Sequence, residues 1–148
     1  MFAVGRSGTI LHYDGRSWSP QTSPIVVDLT NVSGTSATDV YAVGVDPSYT
    51  TPQSRDLGIA AALHYNGTAW TADTVSQDFG FGTTLWDVWA GSPTDVYAVG
   101  SWGIIVRRKG TQWILQTGGT NERLFGIWGR PGGDAFAVGS GGILRGSR

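Results

Sequence analysis

The chain has 148 residues with a formal net charge of -1, and a single domain of that length buries about 68–70% of the surface its unfolded form exposes, enough for a real core. The near-neutral balance excludes a global basic field that would attract nucleic acid or an anionic membrane surface. The absence of cysteine excludes disulfides, thiolate metal sites and cysteine nucleophiles, and no apolar run approaches the roughly 18 residues of a membrane span. Glycine is abundant at 23 copies and tryptophan reaches seven, whereas Glu122, Lys109 and Met1 are the single representatives of three good helix formers. With Val, Thr, Ile, Trp and Tyr in their place, the composition predicts an all-β protein.

In chain order, "FAVG" directly follows Met1, and "ILHYDGRSW" (Ile10 to Trp18) predicts a hairpin whose turn is Asp14-Gly15. A loop, "SPQTSPIVVD" (Ser19 to Asp28), leads to a short strand "LTNVS" (Leu29 to Ser33) and then to "DVYAVG" (Asp39 to Gly44). Residues 45–59, "VDPSYTTPQSRDLGI", separate that strand from "ALHYNGTAW" (Ala62 to Trp70), a second hairpin pattern with Asn66-Gly67 at its turn. Another loop, "SQDFGFGTT" (Ser76 to Thr84), precedes "LWDVW" (Leu85 to Trp89), "DVYAVG" (Asp95 to Gly100) and "IVRRKGTQW" (Ile105 to Trp113). The series closes with "TGGTNER" (Thr117 to Arg123), "LFGIW" (Leu124 to Trp128) and "DAFAVG" (Asp134 to Gly139).

The recurring phrase ends at Gly5, Gly44, Gly100 and Gly139, so the repeat is about 39 residues long with one insertion in its second copy. Each full unit contains four short apolar runs separated by turn residues, which is the arithmetic of a β-propeller blade. A helical solenoid would need 3.6-residue periodicity over ten or more residues, and none occurs. One blade cannot bury both its faces, so stacking of neighbours is a physical requirement. Repeats are expected at approximately 1–28, 29–84, 85–123 and 124–148, within a single partial propeller domain of fourteen strands, or about three and a half blades. Propellers close with roughly four to eight blades, so the expectation is a part of a larger propeller or a homo-oligomer that completes one.

Within the unit, Gly15, Gly67 and Gly110 sit where a tight hairpin requires positive φ. The tryptophan three residues after each glycine is expected to begin the outer strand and cover the blade edge. Asp39, Asp95 and Asp134 read as turn residues that bond local backbone amides.

On these residues the repeat resembles the blades of bacterial propellers related to the BNR or Asp-box group, which includes sialidases, sortilin-like and photosystem-assembly-type propellers. Asp14, Gly15 and Trp18 match the residue types of the Asp-box. Here Asp and Gly are adjacent where the usual box separates them by one residue, and Asn66 and Lys109 replace Asp in later copies. The resemblance implies the fold. In that group the box is a structural turn away from the active site, so it implies no catalysis.

His12 and His64 occupy one repeat position, taken by Arg107 in the third copy; recurrence at equivalent positions points to structure, because an active site needs one histidine in one place. Sialidase-type hydrolysis would need an arginine cluster, an acid and a Tyr paired with Glu, and nothing in the sequence gathers these groups around Glu122. "RRKG" (Arg107 to Gly110) reads either as a small anion patch or as a solvated strand end and turn.

The asymmetric loops carry the functional expectation. In a propeller, the insertion and the loops between blades lie on one rim, which gathers Tyr49, Arg55, Asp56, Asp78, Phe79, Phe81, Trp102, Asn121, Glu122 and Arg123 as a candidate ligand-binding set. Aromatic faces beside amides and charges suit a carbohydrate or a protein ligand; the other reading is that the aromatics cap blade junctions. The expected function is a non-catalytic extracellular or cell-surface binding module, any export signal having been removed, with no cofactor, no metal, no nucleic-acid partner and no membrane insertion. The alternatives are a fragment of a sialidase-like glycoside hydrolase and a purely structural propeller fragment.

Overall fold

A computed structural model describes residues 1–48, 58–75, 82–116 and 119–146. Their strands are β1 (Phe2–Val4), β2 (Ile10–Tyr13), β3 (Trp18–Gln21), β4 (Asp28–Ser36), β5 (Asp39–Asp46), β6 (Ile59–Tyr65) and β7 (Trp70–Ala72). After them come β8 (Thr74–Val75), β9 (Leu85–Ser92), β10 (Asp95–Gly100), β11 (Ile105–Lys109), β12 (Gln112–Gln116), β13 (Leu124–Gly129), β14 (Ala135–Gly139) and β15 (Gly142–Gly146).

They form four sheets in succession: β1-β2-β3, β4-β5-β6-β7, β9-β10-β11-β12 with β8 added beyond β12, and β13-β14-β15. All neighbours pair antiparallel except β8 and β12, which run parallel with Thr74 opposite Gln112. The chain is thus an arc of a β-propeller, two four-stranded blades (II and III) flanked by two of three strands (I and IV), as the repeat predicts. The strand that the repeat does not predict is β8. Leaving blade II, it continues along the outer edge of blade III, and the Thr74 amide donates to the Thr111 carbonyl over 2.9 Å. It satisfies an edge that would otherwise present free backbone groups.

Side chains alternate along each strand, so every blade has one face toward its predecessor and one toward its successor, and three cores lie at the junctions. Between blades I and II are Ile10, Val40, Ala42, Leu63 and Trp70, with Phe2 and Val4 against them. Between II and III are Tyr41, Val43, Ala62, Val88, Val96, Ala98, Val106 and Trp113. Between III and IV are Val99, Leu124, Ile127 and Ala137, with Trp89, Tyr97 and Ile105. The outer-strand tryptophans Trp70 and Trp113 are buried in two of these junctions, which corrects their expected place at the blade edge. Pairing of Trp70 with Tyr65 and of Trp113 with Arg108 in the ladder puts the ring on the face toward the preceding blade.

The glycine closing the repeated phrase has a packing cause. A β-bulge in each inner strand pair brings Gly44 opposite Leu29, Gly100 opposite Leu85 and Gly139 opposite Leu124. A Cβ at these glycines would lie 2.0 Å from the Asp28 carbonyl oxygen, 2.1 Å from that of Thr84 and 1.9 Å from that of Arg123. Gly5, whose blade has no inner strand in the sheet, meets nothing nearer than 3.8 Å. The phrase therefore recurs because the second strand must pass this close to the entry of the first.

Candidate functional site

The rim is built from the turns between second and third strands and the connections between blades. In blade III, Gly100 is extended and Ser101–Gly103 forms a single 3-10 turn in which Trp102 has φ 60. Blade I repeats it with Arg6–Gly8 and Ser7 at φ 54. A non-glycine residue in the left-handed region costs roughly 1–2 kcal/mol, so both positions are strained, and in blade III the strained residue is a tryptophan that remains 62% exposed. Its indole N–H donates to the Gly82 carbonyl over 3.2 Å, which fixes one edge of the ring and leaves the face open.

These turns press on the inter-blade connections. The Gly8 amide donates to the Val27 carbonyl over 2.7 Å, and a Cβ on Gly103 would stand 2.0 Å from the Thr120 carbonyl oxygen. On the far side of that connection, the Ser140 amide donates to the Arg123 carbonyl over 3.0 Å and Gly141 packs against the Glu122 side chain. Gly119–Arg123 is thus held between the turns of blades III and IV, with Asn121, Glu122 and Arg123 exposed beside the Trp102 turn. The structure therefore brings four of the sequence-derived candidates onto one rim: Trp102, Asn121, Glu122 and Arg123. Tyr49, Arg55, Asp56, Asp78, Phe79 and Phe81 lie outside the described residues.

The polar residues of the repeat do other work. Asp39 opens β5 and accepts hydrogen bonds from the Tyr41 hydroxyl and His64 Nε2, each at 2.7 Å, and from the Thr35 hydroxyl. Burial alone would raise this carboxyl, but the bonds from Thr35, Tyr41 and His64 outweigh it and hold it below the ordinary carboxylate value. Burial first, and then the bond to Asp39, push the Tyr41 hydroxyl up. Asp134 likewise pairs with Arg145 at 2.5 Å. The expectation that these aspartates bond local amides is therefore corrected at Asp39 and Asp134: the repeat aspartate reaches across the sheet to the third strand, to His64 in blade II and Arg145 in blade IV.

True amide-capping turns occur at Asp14, whose Oδ1 accepts from the Arg16 and Ser17 amides at 2.7 and 2.9 Å, and at Asn66, which serves Thr68 and Ala69 at 2.9 and 3.0 Å. Gly15, Gly67 and Gly110 have φ of 101, 93 and 65. These hairpins join β2 to β3, β6 to β7 and β11 to β12, at the ends of the strands opposite the rim.

Alternation also divides "RRKG". Arg108 points into the junction between blades II and III, bonding Asp73 at 2.5 and 3.2 Å and lying 4.9 Å from the centre of the Tyr41 ring. Asp73 also accepts from the Trp113 indole N–H at 3.1 Å. Burial pulls the Arg108 guanidinium down, but Asp73 more than offsets it and leaves it raised. Arg107 points to the other side, donating to the Thr94 carbonyl at 3.1 Å and lying 5.5 Å from the Tyr97 ring. It lines a cleft of about 530 Å³ with Pro93, Lys109, Ile114 and Gln116.

Two residues with long-range roles escaped sequence reasoning. Asp28 accepts the Ser7 amide at 2.9 Å. Asp87, within the apolar strand "LWDVW", accepts the Ile127 amide of the next blade at 2.7 Å. Burial raises the Asp87 carboxyl, with the Ile127 and Val88 amides opposing. The only signal was an acid inside an apolar strand. Among the described residues no group of three His, Cys, Asp or Glu is placed to hold a metal ion.

No protein-family model matches the chain, and no curated protein sequence matches it. Among solved structures, YCF48 from Cyanidioschyzon merolae is similar at a TM-score of 0.65 with 16% identity, over 99% of this chain and 49% of that one. A second structure, YCF48 bound to D1 peptide, is similar at a TM-score of 0.47 with 14% identity, over 99% of this chain and 60% of that one. The chain thus spans about half the length of the first of these neighbours, and that likeness is one of fold: successive β-propeller blades.

Proposed function

We propose that the chain is a non-catalytic binding module that takes a protein or carbohydrate ligand on the rim bearing Trp102. The observation that carries this reading is Trp102 itself. The same turn carries a serine at the equivalent position of blade I, so the turn itself does not require a large aromatic in a strained backbone, open to solvent. An aromatic face with its edge anchored, beside exposed amide, acidic and basic side chains, is what a saccharide ring or an extended protein segment stacks on.

Glycoside hydrolysis has less in its favour. The one glutamate, Glu122, stands on the rim, whereas the Tyr41–Asp39 pair, with Tyr41 buried and Asp39 half-buried, belongs to the opposite end of its blade, away from that acid. An extracellular or cell-surface setting in bacteria, and kinship with the BNR and Asp-box propellers, belong to the same proposal; the amide-capped Asp14 and Asn66 hairpins support the kinship.

The test is to screen the full chain and its Trp102→Ala and Glu122→Gln variants against a glycan array and a displayed peptide library. Binding lost in Trp102→Ala at unchanged thermal stability is the expected result, and the array that responds tells saccharide from protein. Binding that survives Trp102→Ala would overturn the site, and turnover of a fluorogenic sialoside would overturn the non-catalytic reading.

A further inference from the structure

The three asparagines of the chain stand in different surroundings, and one of them is set up to react. Asn31 lies in β4 ahead of Val32, whose β-branched side chain crowds the nitrogen between them and whose backbone is paired with Ala42. Asn121 precedes Glu122, whose N–H is committed to the Thr120 hydroxyl at 3.0 Å. Asn66 is exposed and precedes Gly67, which has no side chain to hinder an approach through its nitrogen.

Among the described residues, neither Asn66 Nδ2 nor the Gly67 N–H takes part in a hydrogen bond. Asn66 Oδ1, by contrast, accepts from the Thr68 and Ala69 amides at 2.9 and 3.0 Å. Two backbone donors on one carbonyl oxygen, at about 2.7–3.1 Å, are the arrangement that stabilises a developing oxyanion. Gly67 is fixed on its other side: the Tyr65 hydroxyl donates to its carbonyl at 2.9 Å, and Thr38 packs so closely that a Cβ on Gly67 would lie 2.8 Å away.

We propose that Asn66 is a site of spontaneous deamidation whose product in the folded chain is aspartate rather than isoaspartate. This goes beyond the rim-binding proposal and does not rest on it. The Gly67 nitrogen bonds to Asn66 Cγ and gives up its proton while the Cγ–Nδ2 bond breaks and ammonia leaves, forming a succinimide. Water then adds to Cγ, the bond from Cγ to the Gly67 nitrogen breaks, and that nitrogen regains a proton. The sum is amide and water to carboxylate and ammonium. Negative charge builds on Oδ1 in both halves, where the Thr68 and Ala69 amides meet it. Water adding instead to the main-chain carbonyl of the ring gives isoaspartate, but the paired donors stand at the other carbonyl, and the extra backbone methylene would enter a turn pinned by Tyr65 and Thr38. Blade I already carries the product state in the same hairpin: Asp14 Oδ1 accepts from the Arg16 and Ser17 amides at 2.7 and 2.9 Å beside Gly15 at φ 101. The Ser17 and Arg16 amides hold the Asp14 carboxyl below its ordinary value, so this turn favours a carboxylate. Conversion of Asn66 adds one negative charge to a chain whose net charge is -1.

The experiment holds the full chain folded at neutral pH and, in parallel, unfolded in urea, and follows both by peptide mass spectrometry. Isoaspartyl methyltransferase labelling tells the two products apart. The mass gain of an amide-to-acid exchange is expected in the peptide holding Asn66, with those holding Asn31 and Asn121 unchanged in the folded sample over the same period. Aspartate is expected in excess in the folded sample and isoaspartate in excess in the unfolded one. Asn66→Asp should gain no mass in that peptide and should melt no lower than the wild type. If the folded chain keeps the Asn66 amide while the unfolded chain loses it, the turn protects the residue and the proposal is overturned. Isoaspartate in excess in the folded sample would overturn the part given to the Thr68 and Ala69 amides, and a lower melting temperature in Asn66→Asp would show that the turn does not favour the carboxylate.

Discussion

Two of the tryptophans of blade III have opposite lives. Trp113 is buried between blades, its N–H satisfied by Asp73 and that carboxylate held in turn by Arg108. Trp102 stands on the rim with a strained backbone, an anchored edge and an open face. The first sits at a position where the repeat carries tryptophan in three copies; the second sits where the other copy of the turn has Ser7. The difference separates what the arc needs in order to stack from what has been added to it.

The framework side of that comparison should break hardest. Trp113→Ala removes a large buried ring and is expected to cost about 3–5 kcal/mol, and Asp73→Ala a similar amount, because Arg108 and the Trp113 N–H lose a buried partner. Urea titration measures both. Next come the glycines: Gly44→Ala and Gly139→Ala force a Cβ to within 2.0 and 1.9 Å of a carbonyl oxygen, and each is expected to cost at least about 1–3 kcal/mol through backbone displacement. Gly5→Ala, with nothing closer than 3.8 Å, is the control and should fall within about 0.5 kcal/mol of wild type, the range of an uneventful surface change. Equal losses at Gly5 and Gly44 would remove the packing explanation of the repeat.

A smaller effect depends on pH. The Asp39 carboxyl lies below its ordinary value of 3.8 in the folded chain, so the unfolded chain binds its proton first as pH falls. The stability it contributes is present in full above that ordinary value and is lost as pH drops through the folded one. Asp39→Asn should therefore flatten the acid limb of the stability profile and lower stability at neutral pH, as followed by thermal melts across the acid range. The smallest framework effect belongs to the rim: Trp102→Gly relieves a left-handed backbone and should change stability by about +1 kcal/mol while removing the proposed ligand surface.

The fold was legible because its causes are local. Asp-Gly and Asn-Gly turns, alternating strands and a glycine at a fixed phase state the blade within about 39 residues, and stacking follows from alternation. What was illegible joins residues far apart: Arg108 to Asp73 across 35 positions, Trp113 to Asp73 across 40, and Asp87 to the Ile127 amide across 40. No periodicity encodes such pairs. The tryptophans after the hairpins were recognisable as repeated but not as buried, because their side of the sheet depends on a ladder register that the turn alone does not state. On the rim, repetition itself was the guide: Trp102 was visible as the place where two copies of one turn disagree, but its left-handed backbone and its bond to Gly82 required coordinates.

The account is tested most directly by one paired measurement, urea unfolding and array binding carried out together on Trp102→Ala and Trp113→Ala. Trp113→Ala should lose about 3–5 kcal/mol, whereas Trp102→Ala should stay within about 1 kcal/mol of wild type and bind nothing. If Trp102→Ala unfolds as readily as Trp113→Ala, or keeps full binding, then the rim tryptophan is part of the framework and the separation drawn between the two regions is wrong.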